Sequence, residues 1–75
     1  MLHEHNSLKL LGQNVRDRRS ELELTQERLA DIAGLDPTYI SGIERGVRNP
    51  SVLSLLKVAE ALETTIAELC AGIEG

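Results

Sequence analysis

The sequence has no Phe and no Trp, and only one Tyr and one Cys, in 75 residues. Aromatic rings supply the largest burial per side chain, so a core without them has to be assembled from many aliphatic contacts. The single cysteine, Cys70, excludes an internal disulfide framework and an all-cysteine zinc site. It reads as a small core or interface residue, since no cation stands near it in sequence to activate a thiol. No apolar run approaches the ~18–20 residues of a membrane span, and the N-terminus lacks the apolar stretch of a signal peptide. The expected location is the cytoplasm, with no membrane partner. The length allows one domain, residues 1–75. A domain this small buries little surface, so it needs closely matched helices, a staple or a partner subunit. Basic side chains are also scarce, 8 Lys+Arg against 12 Asp+Glu, for a net charge of −4. That balance argues mildly against a nucleic-acid partner.

Helix formers fill the chain, and Gly and Pro are expected between periodic segments. A first helix is predicted from about Ser7 to Leu22, with Leu8, Leu11, Val15 and Leu22 as its apolar stripe and Arg16, Asp17, Arg18 and Glu21 solvated. Residues 1–6 are expected to form a disordered tail. Thr25 is a predicted N-cap for a second helix, Gln26 to Ala33, which Gly34 ends in a left-handed conformation. Asp36-Pro37 opens a third helix, an acceptor at the cap followed by a ring at the first helical position, and Gly46 stops it after Arg45. Val47-Arg48-Asn49-Pro50 reads as a loop. Ser51 caps a fourth helix to about Leu62, with Leu53, Leu56 and Ala59 inward and Val58 nearby. Thr65-Ile66-Ala67-Glu68 reads as a capping box for a short fifth helix with Ile66, Leu69 and Ile73 apolar. No apolar/polar alternation persists, so no strand competes. The fold class is all-α, a compact five-helix bundle.

The second and third helices carry the functional signal. Four residues, Gly34 to Pro37, separate the end of one from the body of the next, which suits two short helices crossing steeply. Ala30 is small where they cross. Leu29, Ala33, Leu35, Ile40 and Ile43 fill the corner. With about 100° per residue, Ile40 and Ile43 set the inward direction of the third helix. Thr38 and Arg45 then lie opposite, Ser41 and Gly42 flank them, and Tyr39 and Glu44 stand at the borders. A solvated face in an acidic protein ordinarily carries Glu and Lys. This one offers Thr, Tyr, Ser, Gly and Arg, which suits close approach to base edges and phosphates.

Thr25-Gln26-Glu27-Arg28-Leu29-Ala30, then Gly34-Leu35, then Tyr39-Ile40-Ser41-Gly42-Ile43-Glu44-Arg45-Gly46, resembles the phage-repressor-like helix-turn-helix family, also called the XRE family. The resemblance covers about residues 8 to 70, and the run from Gly34 to Pro50 is most like the controller proteins of restriction–modification systems. It implies a lambda-repressor-like fold and a sequence-specific double-stranded-DNA-binding transcriptional regulator, repressor or activator according to which operator is filled. It also implies site roles. Thr25 and Gln26 open the second helix beside a phosphate, aided by that helix's amide groups. Thr38, Tyr39 and Gly42 occupy base-reading positions, with Ser41 and Arg45 on the same face. Arg48, Asn49 and Ser51 match a loop that grips the DNA backbone. Arg19 and Glu44 match a buried ion pair joining the first helix to the recognition helix, a pair that orients more than it stabilises. Two departures stand out: Pro37 has no donor at the first base-reading position, and Gly42 has no side chain with which to read a base. DNA shape would then supply part of the specificity.

Several residues admit plainer readings. Tyr39 suits the core edge as well as DNA. Arg48 and Asn49 suit an ordinary loop. Arg18 suits a solvated helix face. His3 and His5, with Glu4 between them, suggest a metal pair, but no further His completes a site, so neither a metal nor a cofactor is expected. No Gly-rich phosphate loop and no nucleophile constellation is present, so no enzymatic activity is expected. Residues 1–50 hold 7 basic and 8 acidic side chains, whereas residues 51–75 hold Lys57 against Glu60, Glu63, Glu68 and Glu74. The acidity thus lies away from the proposed DNA face, contact with phosphates is expected through Arg28, Arg45 and Arg48 with backbone amides, and few neutralised phosphates are expected. One recognition helix reads too little sequence alone, which predicts a homodimer on a pseudo-palindrome. The homodimer is expected to be joined by the fourth and fifth helices, with the segment 63–75, carrying Ile66, Leu69 and Ile73, as the dimerisation helix and Leu69 near the axis. Exposed acids such as Glu27 and Asp31 are the expected contacts to RNA polymerase. The rival from another class is a protein-interaction module, an antitoxin or scaffold, which the acidic total favours.

Overall fold

Four short polar side chains set the helix starts. Thr25, Asp36, Ser51 and Thr65 all hold extended backbone angles. The Thr25 hydroxyl accepts from the Arg28 amide at 3.0 Å, the Asp36 carboxylate from Thr38 at 2.8 Å, the Ser51 hydroxyl from Ser54 at 3.1 Å and the Thr65 hydroxyl from Glu68 at 3.1 Å. Each bond satisfies an amide that the first helical turn leaves without a partner. In a computed structural model, which describes the backbone of residues 2–73 and the side chains of residues 6–73, there are five helices: α1 (Leu2–Glu21), α2 (Gln26–Ala33), α3 (Pro37–Glu44), α4 (Val52–Ala61) and α5 (Ile66–Leu69). Gly34 closes α2 at φ 72°, and Gly46 turns the chain after α3 at φ 76°.

Helices α2 and α3 form the corner, α1 lies against α3 and α5, and α4 packs on α2 and α5. The core between them is aliphatic: Leu11 and Val15 from α1, Leu29 and Ala30 from α2, Ile40 and Ile43 from α3, Leu55, Val58 and Ala59 from α4, with Leu62 and Leu69. Tyr39 packs half-buried at its edge.

Several expectations need correction. First, α1 begins at Leu2, not Ser7, so the backbone expected as a tail is helical from Leu2 onward; no Gly or Pro occurs between Leu2 and Leu11 to stop it. The His3 and His5 side chains lie outside the described residues. Second, Gly12 and Gly42 sit inside α1 and α3. Third, α4 buries Leu55, Val58 and Ala59, while Leu53 is 63% and Leu56 is 42% exposed. Apolar residues occur on both sides of α4, so periodicity alone does not single out the face that meets α2.

Fourth, Leu69 is 2% exposed within a single chain and belongs to its core, so it is not free to meet a partner at a twofold axis. Ile66 and Ile73 are half-buried against the same core. Asn14 explains the inward hold, since its amide donates to the carbonyls of Leu69 at 2.8 Å and Ala71 at 2.9 Å. The capping box at Thr65 is also only half formed, because the Glu68 carboxylate accepts from the Thr64 hydroxyl. Fifth, Arg18 is no solvated charge. Its guanidinium donates to the carbonyls of Leu62 at 2.9 Å and Glu63 at 3.1 Å, holding the end of α4 against α1.

Candidate nucleic-acid interface

The recognition helix α3 is fixed from behind. Ile40 and Ile43 are 0% and 1% exposed. At the C-terminal end of α3, α1 passes so close that a Cβ at Gly12 would stand 2.5 Å from the Glu44 carbonyl oxygen. Only a residue without a side chain permits that crossing. The C-terminal turn of α3 therefore rests directly on the backbone of α1.

A polar clamp lies beside this contact. Arg19 meets Glu44 with both prongs, Nε to Oε2 at 2.7 Å and Nη2 to Oε1 at 3.0 Å, and its Nη1 donates to the Leu24 carbonyl at 2.7 Å. The Glu44 side chain is 3% exposed and that of Arg19 is 15%. The hydrogen bond to Glu44 raises the Arg19 pKa above its ordinary value and outweighs the opposing effect of burial. Gln26 joins by donating Nε2–H to Glu44 Oε1 at 2.9 Å. One network thus ties α1, the start of α2 and the end of α3, leaving Gln26 one amide hydrogen for another acceptor.

Outward from the clamp, Thr38, Arg45, Arg48, Asn49 and Ser51 are exposed, as is Thr25 at the head of α2. Ser41 is half-buried, and its hydroxyl accepts weakly from Arg45 Nε at 3.4 Å. The Ser51 hydroxyl caps α4 and spends its own proton on the Ser54 hydroxyl at 3.0 Å, so it has no donor left for another acceptor. Arg28 pairs with Asp31 at 3.1 Å on α2. Among the described residues, Arg45 and Arg48 are arginines of this surface without a carboxylate partner.

Gly42 is buried although the helix turns it toward the outer side. Arg48 covers it from the loop, and the Arg48 guanidinium carbon lies 5.6 Å from the centre of the Tyr39 ring. This fold-back has no periodic signal in the sequence. Its only trace is a glycine inside a helix, one turn after the aromatic and shortly before the arginine.

A second surface is apolar. Val52 is 77% exposed, and with Leu53 and Leu56 it forms the outer side of α4. Unlike Leu69, these three residues are exposed in the single chain.

The helix-turn-helix family model matches residues 15–69. Control protein C.SmaI of Serratia marcescens is 43% identical over 61 residues, which cover 81% of this chain and 73% of that protein. Control protein C.BamHI of Bacillus amyloliquefaciens is 48% identical over 59 residues, 76% of this chain and 73% of its own. The crystal structure of the restriction–modification controller protein C.AhdI from Aeromonas hydrophila aligns with a TM-score of 0.81 at 45% identity, over 83% of this chain and 94% of that one. The chain belongs to the phage-repressor-like, XRE-type helix-turn-helix family and is similar over most of its length to restriction–modification control proteins.

Proposed function

We propose that the protein is a sequence-specific double-stranded-DNA-binding transcriptional regulator that acts as a homodimer on pseudo-palindromic operators. The observation that carries this reading is the outer surface of α3. Thr38, Ser41 and Arg45, with Arg48 and Asn49 beyond, form a polar face with unpaired guanidinium groups on a helix anchored by Gly12 and the Arg19–Glu44 pair. Phosphates would be met by Thr25, the free amide hydrogen of Gln26, Asn49 and the arginines. Base edges would be read by Thr38 and Tyr39, whose hydroxyls both donate and accept. Ser51 would contribute through its backbone amide, since its hydroxyl is engaged.

The homodimer would form through the outer side of α4, with a second copy as the occupant. Val52, Leu53 and Leu56 leave an apolar face exposed on the helix after the DNA-gripping loop. A twofold contact there would fix the separation of two recognition helices. Regulation of the kind named in its relatives, with contact to RNA polymerase, would fall to Glu27. Asp31 is less available because it pairs with Arg28. No helix among the described residues is long and apolar enough to cross a membrane, which is compatible with action in the cytoplasm.

Selection from a random duplex pool tests the reading. Enrichment of an inverted repeat with half-sites about one helical turn apart is the expected result, with a shallow salt dependence from few phosphate contacts. A pool with no enrichment, together with tight binding of a protein partner, would establish the antitoxin or scaffold instead.

A further inference from the structure

We infer that Gly42 is a positioning residue: its missing side chain is the seat of Arg48, and Gly42, Tyr39 and Arg48 present one guanidinium to DNA as a unit. The inference rests on the DNA-binding reading above and assigns to Gly42 a part in it that a glycine otherwise lacks.

Three independent observations converge on this seat. A Cβ built on Gly42 would overlap Cγ of Arg48, with Nε at 3.4 Å and Cβ at 3.5 Å, so its nearest neighbours are all atoms of that side chain. The Gly42 carbonyl accepts from the amides of both Val47 at 3.0 Å and Arg48 at 3.2 Å, so the backbone itself returns the loop to this point. The head of Arg48 then lies over the Tyr39 ring, 5.6 Å from its centre, within the range of a cation–π contact. Tyr39 stands one helical turn before Gly42, which puts notch and ring in line along the helix.

The physical consequence comes from side-chain freedom. A free arginine samples many rotamers and loses them on binding. Here the stem lies in the notch and the ring supports the head before DNA arrives, so less freedom remains to be lost. The guanidinium keeps its donors, since no described carboxylate pairs with it. A side chain at position 42 would supply its own contact but would expel Arg48. The apparent gap in the reading surface is therefore the condition for a longer side chain to cross it.

The test combines a binding cycle with a measurement on the free protein. Gly42→Ala, Arg48→Met and the double variant are titrated onto the operator recovered by selection. Arg48→Met keeps a stem in the notch and removes the charge. Each single variant is expected to weaken binding on the order of tenfold and to lower the salt slope by about one. The double variant should bind no more weakly than Arg48→Met alone. In the absence of DNA, the Arg48 side-chain protons should show an upfield ring-current shift from Tyr39, the only Phe, Tyr or Trp in the chain. That shift should vanish in Gly42→Ala while helical circular dichroism is retained. Independent, additive losses from Gly42→Ala and Arg48→Met would overturn the inference, as would an unshifted Arg48 in the native protein. A Gly42→Ala chain too unstable to titrate leaves that native shift to decide. If the native protein selects no sequence, the DNA-binding reading fails first, and the inference with it.

Discussion

Glu44 holds more of the site together than any residue on the outward face. It accepts from Arg19 twice and from Gln26 once, almost wholly out of solvent. Removing it strands a guanidinium that is 15% exposed. Glu44→Ala is expected to destabilise the fold by about 3–5 kcal/mol, read as a lower urea midpoint at unchanged slope. Replacing both partners with apolar residues should cost much less, because no uncompensated charge remains. The raised Arg19 pKa fixes the sign of its pH dependence. From the arginine side, the stabilisation is complete below the ordinary arginine pKa and is lost only as pH rises through the higher folded value. Arg19 therefore introduces no switch at neutral pH. At this scale the sequence is partly legible. The family resemblance brings Arg19 and Glu44 together, whereas nothing in the pattern points to Gln26 as the third member. Gly12 is equally silent, because its function depends on a helix distant in sequence.

Helix boundaries are the most legible part of the fold, because capping is local chemistry. The residues Thr25, Asp36, Ser51 and Thr65 each have a short acceptor and an extended backbone. Ser51→Ala is expected to cost about 1 kcal/mol in thermal or urea unfolding, with both the amide of Ser54 and its hydroxyl losing a partner. The faces of helices are less legible. Helix α4 has apolar residues around much of its circumference, so only its contact with α2 decides which are buried. The left-handed residues Glu23 and Glu63, both at φ 57°, have no signature at all in the sequence. Those positions are set by the turn just past each helix; after α4, the Thr64 amide donates back to the Ala59 carbonyl at 2.9 Å.

At the scale of the whole molecule, two apolar sets have opposite fates. Leu69 closes the single-chain core, and Leu56 faces outward at 42% exposure. Leu56→Asp is expected to yield a folded monomer, seen as native circular dichroism with a halved mass in sedimentation and loss of operator binding at nanomolar concentration. Leu69→Asp should instead unfold the chain, because burying an unpaired carboxylate costs several kcal/mol. Equal dimer stability in native protein and Leu56→Asp would rule out the α4 face. The net charge of −4 is an average that conceals this organisation. Local pairing leaves Arg45 and Arg48 open on one surface, which composition alone does not reveal.

Besides its core side chains and the Arg19–Glu44 pair, helix α1 meets the rest of the molecule through three unrelated devices: the bare Gly12 against α3, Arg18 on the end of α4, and Asn14 on the carbonyls beyond α5. None of these contacts can be made unless the others are nearly in register. The chain should therefore have no sub-global opening that frees its reading helix alone. Amide hydrogens of Ile40 and Ile43 are expected to exchange with the free energy of complete unfolding, and to track it through the Glu44→Ala variant. A protein of this kind meets its operator as a finished object, with the shape of its reading surface already decided.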